Sequence, residues 1–423
     1  LNGLYFHPPG TMTRWGVVDV GLKCPHSCQH CFYSFMGDET DQFVGMRHAR
    51  WHKLENLAAL IDSLAENGFL GFDVTGGEPS AYPGIATLVR HAARKGLAPR
   101  MITLAQFLAT RDLLARLLDA GIVDFRFSLH ATESALFERM TGGDLGKMVW
   151  AMNRLDQIGF QYVTNTTVTQ LNYARLPEIA RWIAARPGVY HANFLLFMPY
   201  YEWSKPGKTD GLRARYGEAA PYVQDAVAIV EAAGIAASVR YAPLCMMKGL
   251  ERNYVGVVGV RFDIHEWGNA INHTADPETT SLADMTAMGA PIALPPDGNL
   301  VPALPYDGII GGRHLVCAAR PGAGKVFPEA CRGCAVLAQC DGIDPQYVAQ
   351  HGVAEFRPYA GRAAPGFLHP DRLRYRAGHI IKVKPDADAR AAVAAALDAM
   401  RYEDAAPADP SMIEASPMPA PAA

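Results

Sequence analysis

The chain has 423 residues, of which 49% are hydrophobic and 19% charged, and a formal net charge of −3. That is the composition of an ordinary globular protein with two or three domains' worth of buried core. With a pI near 6.6, nothing marks a nucleic-acid backbone or an anionic membrane as a partner, and no apolar run reaches the roughly 18 residues of a membrane span. Residues 1–13 lack the basic start and long apolar run of a signal peptide. Eight cysteines fall into two tight trios and two singles, a distribution that favours metal binding over disulfides and hence a reducing cytoplasm.

In chain order, residues 15–22 (WGVVDVGL) read as a buried strand that runs into a cysteine-rich loop. Residues 51–67 carry Leu54, Leu57, Leu60, Ile61 and Leu64 at helical spacing, and Gly68 ends that helix. A strand over 69–75 follows. The alternation then continues with helices over 83–95, 106–120, 133–139, 147–158, 176–185 and 218–233. Strands are expected over 99–104, 123–129, 161–168, 190–198 and 236–241. Strands alternating with helices imply a parallel sheet with right-handed crossovers. Periodicity alone leaves a partial barrel, a full (β/α)8 barrel and a doubly wound sheet open.

After Pro243 the rhythm breaks. Residues 244–345 are rich in Gly, Pro and Cys, as in a domain held by metal instead of a large core. Residues 388–401 read as an Ala-rich helix, and the Ala/Pro tail from Asp404 onward as disordered.

Cys24, Cys28 and Cys31 form a CxxxCxxC loop able to hold three corners of one metal centre. A structural zinc would call for a fourth ligand, and only His26 and His30 lie inside the loop. A [4Fe-4S] cubane with one iron left open fits the trio better. One strand–helix unit later comes Gly76-Gly77-Glu78-Pro79. Its glycines allow close backbone approach to a ligand, and Glu78 adds an acceptor suited to an ammonium group.

This pair of motifs resembles the signatures of radical S-adenosylmethionine (radical SAM) enzymes, CxxxCxΦC followed by GGEP, with His30 at the Φ position. The resemblance implies a fold of the α/β class: a partial (β/α)6 TIM-like barrel followed by a small irregular α+β iron–sulfur domain. It also implies that the open iron chelates SAM and that one electron cleaves SAM to methionine and a 5′-deoxyadenosyl radical, which abstracts hydrogen from a substrate C–H bond. Gly76, Gly77, Glu78 and Pro79 would then bind SAM, with His30 beside it. By the same resemblance Ser128 (with Arg126 as the weaker choice) and Asn165 would contact its carboxylate or ribose. His130 would face the substrate cavity or be a structural histidine. The family's third-strand segment often reads Thr-Asn-Gly, and Thr103-Leu104-Ala105 departs from it. No catalytic residue is assigned beyond the cluster.

The second trio, Cys331, Cys334 and Cys340, resembles the auxiliary-cluster motif of SPASM and twitch domains. Asp344 and Ala303 stand where the SPASM pattern expects further cysteines, which implies one auxiliary [4Fe-4S] cluster. Its fourth ligand would be Cys245 or Cys317; a structural zinc knuckle is the competing reading. The expected organisation is a core barrel over 13–242, an auxiliary-cluster region over 243–385, and a helix plus tail over 386–423. Tyr200, Tyr201, Glu202 and Trp203 would line a substrate mouth or form a surface loop.

The expected partners are a small-molecule or peptide substrate and a flavodoxin- or ferredoxin-type electron donor, with no nucleic acid and no membrane. With 23 residues before Cys24, no leader-binding or cobalamin domain fits there, which favours a small biosynthetic molecule over a ribosomal peptide. A non-catalytic iron–sulfur electron carrier is the alternative from another class.

Overall fold

The computed structural model describes residues 15–31, 44–197, 210–251, 253–254, 267–291, 328–335, 340, 342–361 and 402–404. Strand β1 (Trp15–Asp19) leads through α1 (Val44–His48) and α2 (Leu54–Glu66) to β2 (Gly71–Thr75). Then come α3 (Ile85–Arg94), β3 (Ala98–Thr103), α4 (Leu113–Ala120), β4 (Asp124–Phe127), α5 (Ser134–Thr141), α6 (Leu145–Gln157) and β5 (Tyr162–Val168). The series closes with α7 (Leu176–Ala184), β6 (Val189–Leu196), α8 (Tyr216–Ala232) and β7 (Ala236–Arg240). Further on lie α9 (Leu282–Met288), α10 (Pro345–His351), and the antiparallel pair β8 (Tyr359–Gly361) and β9 (Tyr402–Asp404). Asp404, placed in a disordered tail by composition, is therefore in a strand. Cys317, Ala303, Tyr200, Tyr201, Glu202, Trp203 and the helix expected over 388–401 lie outside the described residues.

The seven strands pair in the order β1-β2-β3-β4-β5-β6-β7, every neighbour parallel. A doubly wound sheet would reverse its order at a switch point; this one does not. A sequential all-parallel sheet is the topology of a barrel, and no β7–β1 pairing closes it among the described residues. The architecture is α/β, a partial TIM-like barrel, with one strand more than six units. The apolar helix faces read from sequence are buried as expected: Leu57, Leu60, Ile61 and Leu64 of α2 are fully inaccessible.

Both free edges are covered by later chain. On β7, Val239 N–H donates to Asn253 O (2.8 Å), and Asn253 Nδ2 donates to Ala237 O (3.0 Å). On β1 the cover is made by asparagine side chains. Asn269 Oδ1 accepts from Val17 N–H (2.8 Å) while its Nδ2 donates to Val17 O (3.2 Å). Asn272 does the same at Asp19, accepting from its N–H (2.8 Å) and donating to its O (2.7 Å). A primary amide carries the same donor and acceptor as a peptide group, so two asparagines satisfy the edge as another strand would.

The barrel interior is polar. Asp73 on β2 is held by Arg100 on β3 through two 2.8 Å bonds, by Trp267 Nε1 (2.8 Å), and by Arg126 Nε at 3.5 Å. Burial alone would push the Asp73 carboxyl up, but the two guanidiniums and the hydrogen bonds from Arg100 and Trp267 hold it below the usual carboxylate range. Across β5–β7 an uncharged chain runs from Asn165 Oδ1, which accepts from Asn193 Nδ2 (2.7 Å). Ser238 Oγ donates to Asn193 Oδ1, and His191 Nε2 lies 2.9 Å from Ser238 Oγ.

Candidate active site

The cysteine loop leaves the carboxyl end of β1, where ligands gather in parallel barrels. Asp19 Oδ1 accepts from Gly21 N–H (2.8 Å) and turns the chain. From there the loop is zipped to the Gly76–Pro79 segment at the end of β2. Gly77 N–H donates to Gly21 O (2.9 Å), and Glu78 N–H to Lys23 O (3.2 Å). The two glycines make this approach possible. Gly76 sits at φ +121°, and a Cβ there would lie 2.6 Å from Asp19 Oδ1; a Cβ on Gly77 would lie 2.0 Å from Lys23 O.

The far side of the loop rests on the end of α5. Ser27 N–H donates to Thr141 O and Gln29 N–H to Met140 O, both 3.0 Å, while Gln29 Nε2 donates to Arg139 O at 3.0 Å. These are carbonyls that the last turn of a helix leaves without a partner. Gly142, at φ +66°, ends α5; a Cβ on it would meet Ser27 Oγ at 2.3 Å. Cys24 N–H donates to Met46 O (3.0 Å), tying the loop's start to α1. The loop carrying the three cysteines is thus fastened to three elements, the end of β2, α5 and α1, while Cys28 and Cys31 stay half-buried.

Their chemistry is that of donors awaiting a cation. Burial pushes the Cys24 thiol up, and the charges of Glu78 and Cys31 add to it; Cys28 is raised by burial and then by Cys31, Cys24 and Glu78. Three thiols converging near a buried carboxylate are poorly placed to ionise alone, and bound metal reverses that logic. The donor set therefore fits an iron–sulfur cluster. No three His, Cys, Asp or Glu among the described residues surround a single-ion position. A tetrahedral zinc needs sulfurs about 3.8 Å apart, whereas a cubane spreads them over the faces of a cage.

The Glu78 carboxylate has several partners within the protein. It accepts from Ser80 N–H (3.0 Å), Ser80 Oγ, Thr103 Oγ1 and Leu104 N–H (3.0 Å), with His26 Nε2 at 3.8 Å. Those bonds fasten the motif to the end of β3, and they explain Thr103, which the sequence comparison left without a part. Ala105, at the position where the family pattern has glycine, takes φ +63°. Pro79 is buried and begins a short helical turn.

The other sequence candidates are spread around the same end of the barrel. Ser128, half-buried, follows β4 and donates its N–H to Thr103 O (3.0 Å). Asn165 belongs to the polar chain on β5, and Arg126 to the Asp73 ion pair. His30 and His130 meet directly, Nε2 to Nε2 at 3.1 Å with ring centroids 4.2 Å apart. Burial lowers the His30 pKa to about 4, and burial followed by His30 lowers that of His130. Ser80, Asn193 and Ser238 drew no signal in the sequence, because isolated polar residues on strands carry none.

The second trio also converges. Cys245, Cys334 and Cys340 pack together against Leu244, Tyr254 and Tyr359. Cys340 Sγ accepts from Leu244 N–H and Gly342 N–H, both at 3.4 Å. Burial pushes the Cys245 thiol up to about 12, with Cys340 and Cys334 contributing; Cys331 is raised by burial and then by Cys340, Cys245 and Cys334. Four cysteines therefore sense one another. Asp344, the position of a missing SPASM cysteine, caps α10 instead, accepting from Gln346 N–H (2.7 Å) and Tyr347 N–H (3.3 Å).

Residues 18–183 match the family model of the radical SAM superfamily. PqqA peptide cyclase of Bradyrhizobium diazoefficiens is 27% identical over 165 residues, covering 38% of this chain and 41% of that protein. GTP 3′,8-cyclase of Vibrio vulnificus is 23% identical over 185 residues, covering 43% of this chain and 53% of that one. Streptococcus suis SuiB, solved bound to S-adenosylmethionine, aligns with a TM-score of 0.46 and 16% identity over 58% of each chain. The chain spans about half the length of the curated relatives it matches. The segment that matches the family model, residues 18–183, contains both the cysteine loop and the glycine segment zipped to it.

Proposed function

We propose that this chain is a radical SAM enzyme whose Cys24, Cys28 and Cys31 hold a [4Fe-4S] cluster and whose Gly76–Pro79 segment receives S-adenosylmethionine. One observation carries the reading: the backbone zipper between the cysteine loop and Gly76–Glu78 sets a three-thiol site beside a glycine-lined backbone at the carboxyl end of the barrel. The bound cluster would supply one electron to the sulfonium of SAM, giving methionine and a 5′-deoxyadenosyl radical that takes hydrogen from a substrate C–H bond. Glu78 also fastens the segment through Ser80, Thr103 and Leu104, and with Gly76, Gly77 and Pro79 it belongs to the proposed SAM-binding set. Ser128, Asn165 and His30 complete the set of SAM-binding candidates.

Cys331, Cys334, Cys340 and Cys245 are our choice for one auxiliary [4Fe-4S] cluster, since Cys245 packs against the same Leu244, Tyr254 and Tyr359 cluster as two of the trio. A small biosynthetic molecule is the first substrate reading. A peptide is the second reading, supported by the kinship with proteins named PqqA peptide cyclase. A flavodoxin- or ferredoxin-type donor would supply the electron, in the cytoplasm. No helix among the described residues is long and apolar enough to cross a membrane.

The test is spectroscopic. Anaerobically reconstituted, dithionite-reduced protein should give a cluster EPR signal that changes on adding SAM. That change should vanish when Cys24, Cys28 and Cys31 are replaced by Ala, with about four irons per chain remaining at the auxiliary site. An unchanged signal in the unsubstituted protein would refute the proposal.

A further inference from the structure

Strand β4 ends at Phe127 while β5 continues to Val168, so the last β5 residues extend past their neighbour. The N–H of Thr167 faces the side that β4 has vacated, and His130 fills it: Thr167 N–H donates to His130 Nδ1 at 3.1 Å. The surrounding turn is fixed by Asn172 Nδ2 donating to His130 O (2.8 Å) and by Thr166 Oγ1 donating to Leu129 O (2.7 Å). A backbone N–H can only donate, so His130 Nδ1 carries no proton. A neutral imidazole must then carry it on Nε2. That nitrogen lies 3.1 Å from His30 Nε2, which must accept. The proton of His30 is left on Nδ1, and no described residue occupies that atom.

We infer that His130 is a positioning residue that fixes His30, in the loop between Cys28 and Cys31, as a hydrogen-bond donor through Nδ1. The Thr167 bond and the shared Nε2–Nε2 contact together admit one tautomer of each ring. The donor serves an acceptor atom on the ligand seated against the cysteine loop, and this part of the inference rests on the proposed radical SAM reading.

Neutron diffraction of the intact protein tests the tautomers without reference to activity. Deuterium on His130 Nε2 and His30 Nδ1 is the expected result; deuterium on His130 Nδ1 or His30 Nε2 overturns the inference. The ligand arm measures SAM affinity from the change in the reduced cluster's EPR signal. His130→Phe keeps a ring but no donor, and should bind SAM about five- to tenfold more weakly, the worth of one neutral hydrogen bond. His130→Gln, whose amide can accept from Thr167 and donate to His30, should restore affinity to within about twofold. Wild-type affinity in His130→Phe, or no rescue by His130→Gln, overturns the positioning role. If SAM leaves the unsubstituted protein's signal unchanged, the radical SAM reading fails, while the neutron map still decides the tautomers.

Discussion

Replacing Gly77 by Ala probes the zipper that joins the two motifs. The new Cβ would stand 2.0 Å from Lys23 O, 2.4 Å from Lys23 C and 2.7 Å from Leu22 O, all of them backbone atoms that no side-chain rotation can move. To reach even 3.0 Å, the cysteine loop must retreat by about 1 Å. The Gly77–Gly21 and Glu78–Lys23 hydrogen bonds, now 2.9 and 3.2 Å, would then stretch to about 4 Å and be lost. Two such bonds contribute about 1–3 kcal/mol, and overpacking adds about 1–3 kcal/mol, for a cost of about 2–6 kcal/mol. The assay is iron content after anaerobic reconstitution, in a background where Cys331, Cys334 and Cys340 are Ala, together with thermal unfolding. The parent should hold about four irons and Gly77→Ala fewer than about one. Gly211→Ala, where a Cβ meets nothing within 4 Å, should match the parent. Full iron loading and an unshifted Tm in Gly77→Ala would show that the loops are not coupled as described.

Ala105→Gly should raise Tm, because the left-handed φ of +63° costs an alanine about 1–2 kcal/mol and a glycine little, partly offset by glycine's freer unfolded chain. Asp73→Asn should destabilise the protein by about 3–5 kcal/mol at pH 7 by leaving Arg100 buried without its counter-charge, measured by urea unfolding. Because the folded Asp73 carboxyl titrates below its unfolded value of about 3.9, its contribution is complete above that pH and is lost as pH falls through the folded value; the variant should lack that acid limb. Cys245→Ala should abolish auxiliary iron while Cys317→Ala keeps it, as read by iron content in a Cys24/Cys28/Cys31→Ala background; the reverse would exchange their assignments. Asn272→Ala should cost about 2–4 kcal/mol by orphaning both backbone groups of Asp19, whereas Asn272→Gln tests whether an amide alone suffices.

The parts of the site that were legible in the sequence are those set by local spacing. CxxxCxxC and GGEP each place their residues on one turn of chain, and the strand–helix rhythm over 15–241 carried the alternation of elements, with boundaries shifted by up to seven residues where the helix expected from 106 begins at Leu113. What was hidden depends on residues far apart in the chain. Asn269 and Asn272 reach β1 across more than 250 residues, and nothing in their neighbours announces an edge to be covered. The motif shows the charge of Glu78 but not Ser80, Thr103 and Leu104 converging on it. His30 and His130, 100 residues apart, become a pair only once the cysteine loop lies against the end of β4. The sequence leaves Cys245 and Cys317 both open to the second trio, because nearness to Cys334 and Cys340 depends on contacts far apart in the chain.

The most direct test of the account is the product of SAM cleavage. Anaerobically reconstituted protein, reduced with dithionite or flavodoxin and incubated with SAM, should form 5′-deoxyadenosine and methionine, and a Cys28→Ala variant should form none. Absence of 5′-deoxyadenosine from fully iron-loaded protein, with small-molecule and peptide candidates alike, would contradict it.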